Sequence, residues 1–171
     1  MRLFIAIPLT NELKQQIGLI QEQFRRQHVK GNYTPQENLH ITLAFIGEYH
    51  DPDAVMAALK RVSFKPFSLT MEKTGSFGSV WWTGFRESGE LEKLAGMVRH
   101  ALEEAGIPYD KKKFKAHVTI LRKPIYSDER RISPIQFEPV DMPVKAFSLM
   151  LSTRERKGMV YTPLGSVKAE S

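Results

Sequence analysis

Short runs of apolar residues with the two-residue period of β-strands recur along the whole chain. In the first half they predict strands over residues 2–8, 39–46, 64–74 and 79–85. In the second half they predict strands over residues 115–123, 132–140, 144–152 and 159–164. Pro134 and Pro139 interrupt the segment 132–140, and it is therefore the least regular of the predicted strands.

Two longer segments have the helical period instead. The first covers residues 11–27 with Thr10 as its N-cap, and the second follows Ser88 and ends at Gly106. A short helix opens at Asp51 and Pro52. The apolar faces of the two long helices carry Leu13, Ile17, Ile20 and Phe24 in the first and Leu91, Leu94, Val98 and Leu102 in the second.

Each half of the chain thus has one long helix and several strands. This order predicts an α+β protein with two similar lobes of mainly antiparallel sheet. No linker-like or low-complexity segment divides the halves. We therefore expect residues 1–171 to form a single bilobal domain.

The net charge limits the choice of partner. The formal charge is +6 and the isoelectric point is about 9.5, so a polyanion such as RNA would be attracted, although many soluble proteins are mildly basic. The absence of cysteine excludes a disulfide framework, thiolate catalysis and cysteine-ligated zinc. The apolar N-terminal run stops at Pro8, and no segment reaches the length of a membrane span. We expect a cytoplasmic protein.

The same four-residue motif occurs once in each half, as residues 40–43 and 117–120. It reads His40-Ile41-Thr42-Leu43 in the first copy and His117-Val118-Thr119-Ile120 in the second. Residues two apart in a strand share a face, so each histidine and threonine point one way while the apolar residues point into the core. A lone His-x-Thr segment is usually only a half-buried strand. Two copies, one per half, favour a shared site.

Paired imidazoles and hydroxyls suit phosphoryl chemistry. A neutral imidazole can take a proton from water while a protonated one gives a proton to a leaving oxygen. Threonine hydroxyls can donate hydrogen bonds to phosphate oxygens. Neither role needs a metal, and no histidine pair has metal-ligand spacing. We expect neither a metal nor a cofactor.

The chain resembles the 2H phosphoesterases, and within them the bacterial and archaeal RNA 2′,3′-cyclic phosphodiesterases once named 2′-5′ RNA ligases. Beyond the paired motif, the resemblance includes residues 2–7, 35–48 and 114–122, and Leu151-Ser152 followed by Tyr161. It implies two lobes with flanking helices around a central cleft, and opening of a cyclic phosphate by water to leave a 2′-phosphate. Tyr33 and the pair Lys115-Ala116 depart from the residues usual in the family.

The resemblance also implies roles for five residues. His40 would be the proton donor to the departing 3′-oxygen, and His117 the acceptor that activates water. Thr42 and Thr119 would hold phosphate oxygens, and Arg122 would add a cation. Strict alternation, however, puts Arg122 on the strand face opposite His117. The difficulty is met if the strand ends or bulges near Leu121, or if the long side chain of Arg122 reaches around the strand.

Two other functions stay open. The same acid and base could join a 2′,3′-cyclic end to a 5′-hydroxyl, which is 2′-5′ RNA ligation. Alternatively, the fold could serve as a non-catalytic RNA-binding module. The expected partners are RNA ends or small cyclic nucleotides, with no membrane and no obligate protein partner, and we expect a monomer. Lysines 111–113 and Lys115 are candidates for contact with the RNA backbone.

Overall fold

The computed structural model describes residues 1–127 and 132–171. Its α-helices are α1 (Asn11–Arg26), α2 (Pro52–Leu59) and α3 (Gly89–Glu104), and a short 3-10 helix covers Gln36–Asn38. Its strands are β1 (Arg2–Pro8), β2 (Lys30–Tyr33), β3 (His40–Glu48), β4 (Phe67–Phe77), β5 (Val80–Phe85), β6 (His117–Ile125), β7 (Val140–Val144), β8 (Ala146–Glu155) and β9 (Gly158–Lys168). Within the described residues, no helix has the length and apolar content needed to cross a bilayer.

The helices begin where their polar caps predict. The side-chain oxygens of Thr10, Asp51 and Ser88 each accept a hydrogen bond from the backbone N–H three residues on. These caps satisfy N–H groups that have no partner within the helix. The predicted apolar face of α1 is buried, and α3 is followed by Gly106 with φ +72°.

Two antiparallel sheets form the body of the protein, which confirms the predicted α+β class. The first sheet has the strand order β3-β1-β8-β9, and the second has the order β2-β6-β5-β4-β7. All the pairings between the described strands are antiparallel. The two motif strands thus lie in different sheets, β3 in the first and β6 in the second.

The sheets do not correspond to successive halves of the chain. The last two strands, β8 and β9, join the first sheet, whereas β4 and β5 join the second. The helices are exchanged between the sheets as well. Helix α1 follows a strand of the first sheet but packs on β6 and β7 of the second, and α3 packs on β3 of the first. Apolar residues from both sheets form one continuous core.

The strand predicted over residues 132–140 is wrong. Residues 132–139 are irregular, and the strand there is β7, which begins at Val140 and pairs with β4. Pro134 and Pro139 lack the N–H that a sheet ladder requires, so the paired segment starts after them. Strand β2 was not predicted. Its sequence Lys-Gly-Asn-Tyr is short and almost entirely polar, and its conformation comes from pairing with β6.

One buried hydroxyl offers a test of this core. Thr83 is fully buried, and its Oγ1 has no hydrogen-bond partner among the described residues. Valine has the same shape without the hydroxyl, so Thr83→Val should raise the free energy of unfolding by about 1 kcal/mol. Thr83→Ala should lower it, because alanine also removes the methyl group and leaves a cavity. Urea unfolding of the three proteins measures both changes, and a less stable valine variant would contradict the expectation.

Candidate active site

A narrow cleft of about 110 Å³ lies where β3 of the first sheet meets β6 of the second. All five predicted site residues line it, together with three residues that were not predicted. The lining residues are Thr34, Asn38, His40, Thr42, His117, Thr119, Arg122 and Tyr161. The pseudo-symmetric motif strands therefore bring their histidines and threonines into one space.

A β-bulge in β6 explains how Arg122 reaches this cleft. Thr119 pairs with Trp82 and Leu121 pairs with Trp81, so Ile120 is an extra residue opposite β5. Ile120 and Leu121 are consequently both buried, and the alternation is shifted by one position beyond them. Arg122 lies on the same side as His117 and Thr119. The conflict that strict alternation predicts for Arg122 does not arise.

The first motif strand has the same irregularity. Thr42 pairs with Ala6 and Ala44 pairs with Ile5, which leaves Leu43 as the extra residue of β3. Three residues past the threonine, β3 carries Phe45 where β6 carries Arg122. The two strands therefore match in conformation but differ in this side chain, and only the second contributes a cation to the cleft.

His40 is fixed by hydrogen bonds at both ring nitrogens. Its Nδ1 lies 2.7 Å from the carbonyl oxygen of Asn38, and its Nε2 lies 2.8 Å from Oγ1 of Thr42. A carbonyl only accepts, so Nδ1 carries the proton in the neutral ring. Burial lowers the pKa of His40, and the charges of His117 and Arg122 lower it further, while the bond to Asn38 opposes them.

His117 is held in the same way but is more accessible. Its Nδ1 donates to the carbonyl oxygen of Lys115 at 2.6 Å, and the edge of its ring meets Phe77 with ring centroids 5.4 Å apart. Burial lowers the pKa of His117, and the nearby charges of Arg122 and Lys115 act in the same direction. Both imidazoles are thus held towards the neutral form until a negative charge enters the cleft.

Sequence reasoning missed three residues of the cleft. The amide of Asn38 donates to the carbonyl of Met159 at 2.9 Å, which ties the start of β3 to β9. Tyr161 of β9 meets His40 edge to face, with ring centroids 5.4 Å apart. Thr34 and Asn38 lie just before the first motif, and this closeness in sequence could have predicted that they line the cleft. Tyr161 lies 41 residues past the second motif; the family resemblance included it, but no spacing marks it as a cleft residue, and only the sheet brings it here.

The arrangement suits a small anion. The eight lining residues carry two imidazoles, four hydroxyls, one amide and one guanidinium, and none of them carries a carboxylate. Among residues 1–127 and 132–171, no three His, Cys, Asp or Glu side chains are grouped as a metal site would need. A tetrahedral oxyanion could accept hydrogen bonds from the hydroxyls, the guanidinium and protonated histidines. Independence from metals stays a prediction.

The sequence of this chain is similar to those of known proteins over almost its whole length. Residues 12–156 match the family model of the 2′-5′ RNA ligase superfamily. The chain is 33% identical over 175 residues to the RNA 2′,3′-cyclic phosphodiesterase of Thermotoga maritima, covering 96% of this chain and 93% of that one. It is 34% identical over 177 residues to the enzyme of the same name from Archaeoglobus fulgidus, covering 96% and 98%.

A solved structure shares the whole fold. The crystal structure of Escherichia coli LigT complexed with 3′-AMP has a TM-score of 0.84 and 30% sequence identity to this chain. The match covers 99% of this chain and 98% of that one. The similarity therefore includes both sheets, both motif strands and the cleft between them.

The lowered pKa values of the two histidines predict a pH-dependent affinity for anions. Sulfate keeps its charge between pH 5 and 8, and in the cleft it would favour the charged imidazoles. Binding should therefore take up protons, and affinity should rise as the pH falls, by up to about tenfold per pH unit for each proton taken up. Titration calorimetry with sulfate, in buffers of different ionisation enthalpy, measures the affinity and the number of protons taken up.

The double variant His40→Ala, His117→Ala is the control for this titration. It should bind sulfate with an affinity that hardly changes over the same pH range. A wild-type affinity that is constant with pH, or that increases as the pH rises, would contradict the assignment of the two histidines as anion-facing groups.

Proposed function

The chain belongs to the 2′-5′ RNA ligase superfamily, and from this premise we propose that it is an enzyme that hydrolyses 2′,3′-cyclic phosphates at RNA ends to 2′-phosphates. The observation that carries the proposal is the convergence of His40, His117, Thr42, Thr119 and Arg122 on one cleft. The Thermotoga and Archaeoglobus relatives are RNA 2′,3′-cyclic phosphodiesterases, which supports the same reaction class.

In this proposal His117 is the general base. Its bond from Nδ1 to the Lys115 carbonyl leaves Nε2 as the ring atom able to accept a proton. Its lowered pKa keeps the ring neutral near pH 7, which a base requires. His117 removes a proton from water as the water oxygen bonds to phosphorus.

His40 is the proposed general acid. The bond between phosphorus and the 3′-oxygen breaks, and the 3′-oxygen takes the proton of His40 to become a hydroxyl. Burial lowers the pKa of His40 in the free protein, so the acid form depends on the bound phosphate, whose negative charge favours the imidazolium. The product is a 2′-phosphate, and the two histidines exchange protonation states in one turnover.

The proposed role of Thr42, Thr119 and Arg122 is to hold the non-bridging phosphate oxygens. Oγ1 of Thr42 already lies 2.8 Å from Nε2 of His40, which places a hydroxyl beside the proposed proton donor. The guanidinium of Arg122 can make two parallel hydrogen bonds to a phosphate. These groups stabilise charge that increases in the transition state, and none of them needs to move a proton.

A second groove supports RNA as the substrate. It has a volume of about 570 Å³ and shares Thr42 and His117 with the cleft, so the two spaces are neighbours. We call it the lysine groove. Its other lining residues are Ala44, Phe45, Phe77, Arg99, Asp110, Lys112, Lys113, Phe114 and Lys115. Aromatic rings beside exposed cations suit the bases and phosphates of a single strand.

The cations of the lysine groove differ in whether they bind other groups of the protein. Arg99 donates to the carbonyl oxygens of Leu43 at 3.2 Å and Lys112 at 2.7 Å, so its guanidinium is used within the protein. Lys111 does not line the groove, and its ammonium group pairs with Glu103 at 3.2 Å. Lys112 and Lys113 are exposed and line the groove. We propose that these two lysines contact the phosphates upstream of the reacting end.

The acid and base assignments predict a loss of turnover in two variants. His40→Ala and His117→Ala should each lower kcat at least about 100-fold on an RNA oligomer ending in a 2′,3′-cyclic phosphate, with EDTA present. His100→Ala, at an exposed position on α3, is the matched control and should keep wild-type activity. Resolving the product as a 2′- or 3′-phosphate identifies the bond that breaks.

Two outcomes would count against the proposal. Full activity in both histidine variants would contradict the assignment of His40 as acid and His117 as base. A 3′-phosphate product would show that the bond to the 2′-oxygen breaks instead of the bond to the 3′-oxygen. The pH profile separates the two roles. Loss of the base in His117→Ala should remove the limb in which the rate falls at low pH, and loss of the acid in His40→Ala should remove the limb at high pH.

Substrate length tests the lysine groove. Lys112→Ala combined with Lys113→Ala should raise KM for an RNA oligomer and leave turnover of a 2′,3′-cyclic mononucleotide unchanged. For RNA binding by this double variant, the slope of log affinity against log salt concentration should be smaller in magnitude by about 1.4, the value for two lost contacts to single-stranded phosphates. Lys60→Ala combined with Lys93→Ala removes the same charge from exposed positions outside the groove. Equal weakening in both double variants would mean that only net charge matters.

A further inference from the structure

A glutamine is buried in the otherwise apolar face of α1. Gln21 is 3% exposed and lies among the buried residues Ile17, Ile20 and Phe24 of the same helix. A buried amide is costly unless its polar atoms find partners. A helix that needed only to cover the sheet would have an apolar residue at this position, so the contacts of Gln21 require a specific explanation.

The side-chain amide of Gln21 donates two hydrogen bonds, both to backbone carbonyls. Its Nε2 donates to the carbonyl oxygen of Thr34 at 3.0 Å and to that of Ile120 at 3.0 Å. The backbone N–H of Thr34 also donates to the Ile120 carbonyl at 3.0 Å. Gln21 therefore joins α1 to the segment before the first motif and to the second motif strand at once.

The carbonyl that Gln21 holds belongs to the bulge of β6. Ile120 is the extra residue between the pairs Thr119–Trp82 and Leu121–Trp81. The bulge turns Arg122 towards the cleft, because without the extra residue Arg122 would lie on the face opposite Thr119. An interaction that favours the bulged strand over a regular one thus controls the direction of Arg122.

The other motif strand has the same kind of support. Leu43 is the extra residue of β3, and its carbonyl accepts a hydrogen bond from Nε of Arg99 at 3.2 Å. Arg99 comes from α3, the helix that packs on β3, just as Gln21 comes from the helix that packs on β6. In both sheets, therefore, a polar side chain of the covering helix reaches the carbonyl of the bulge residue.

We propose that Gln21 is a positioning residue for Arg122, acting through the bulge at Ile120, and that Arg99 is its counterpart for the bulge at Leu43. Neither residue lines the catalytic cleft. Their action is to hold the two strands in the bulged register that directs the side chains beyond the motif threonines, Arg122 in β6 and Phe45 in β3. The catalytic consequence rests on the proposed function, whereas the effect on the direction of Arg122 does not.

The variant Gln21→Met keeps the length and helix propensity of the side chain but removes both donors. NMR titration of His117 reads the position of Arg122 without any substrate, because the nearby guanidinium helps to lower the pKa of this histidine. The pKa of His117 should rise in Gln21→Met and in Arg122→Ala. It should rise no further when the two changes are combined. Gln21→Leu, which also lacks both donors and adds no charge, replaces Gln21→Met if that variant does not fold.

Ile17→Val is the matched control, because it removes a buried methyl group from the same face of α1 and no hydrogen bond. It should be less stable than wild type and keep the wild-type pKa of His117. A wild-type pKa in Gln21→Met would overturn the proposal. An unchanged pKa in Arg122→Ala would also overturn it, since Arg122 would then not lie beside the histidine.

Kinetics on the cyclic-phosphate RNA give the second readout. Gln21→Met should lower kcat/KM by about tenfold or more, as expected when a charged group is displaced from the reacting phosphate. The double variant should be no slower than Arg122→Ala alone, whereas a purely structural defect would multiply the two losses and overturn the proposal. An inactive wild type would overturn the proposed function, and the titration of His117 would still decide the role of Gln21.

Discussion

One extra residue in each of the two motif strands decides which way the side chains beyond the motif threonines point. A regular strand alternates its faces, and it could direct His117 and Thr119 to the cleft but not Arg122. The bulges at Leu43 and Ile120 bury two consecutive apolar residues and shift the alternation after them. The core keeps its apolar contacts on both sides of each bulge, and the cleft gains a guanidinium.

The exchange of helices between the sheets makes this arrangement rigid. Because α1 covers the second sheet and α3 covers the first, neither sheet can separate from the other without exposing core residues. The polar contacts of Gln21 and Arg99 occur at these helix–sheet interfaces. The bond from Gln21 to Ile120 is buried, so it is correspondingly strong, and the bond from Arg99 to Leu43 is partly buried. The protein itself thus holds the side chains of the cleft in place, which reduces the cost of orienting them around a bound anion.

The two motif strands are alike in conformation but not in chemistry. After its bulge β6 carries Arg122, which faces the cleft, and β3 carries Phe45, which lines the lysine groove. His40 is also more enclosed than His117, with Phe4 and Tyr161 against its ring. The burial of His40 and the partial exposure of His117 fit the proposed division between a donor beside the leaving ribose oxygen and an acceptor beside incoming water.

The sequence by itself determined the parts of this protein that depend on local chemistry. Helix caps at Thr10 and Ser88, the apolar face of α1 and the repeated His-x-Thr strands follow from side-chain type and period. The family resemblance rested on the same segments. These features could be predicted because each depends on neighbours a few residues away in the chain.

Only the tertiary structure decided the rest. Membership of each sheet, the strand at Val140–Val144, the direction of Arg122 and the arrival of Tyr161 all depend on partners distant in sequence. A bulge has no local signature in Ile120-Leu121, since it is set by the register of β5 and by the donors of Thr34 and Gln21. Such long-range pairing cannot be predicted from a short segment of the sequence. It is the reason that two similar strands form one asymmetric site.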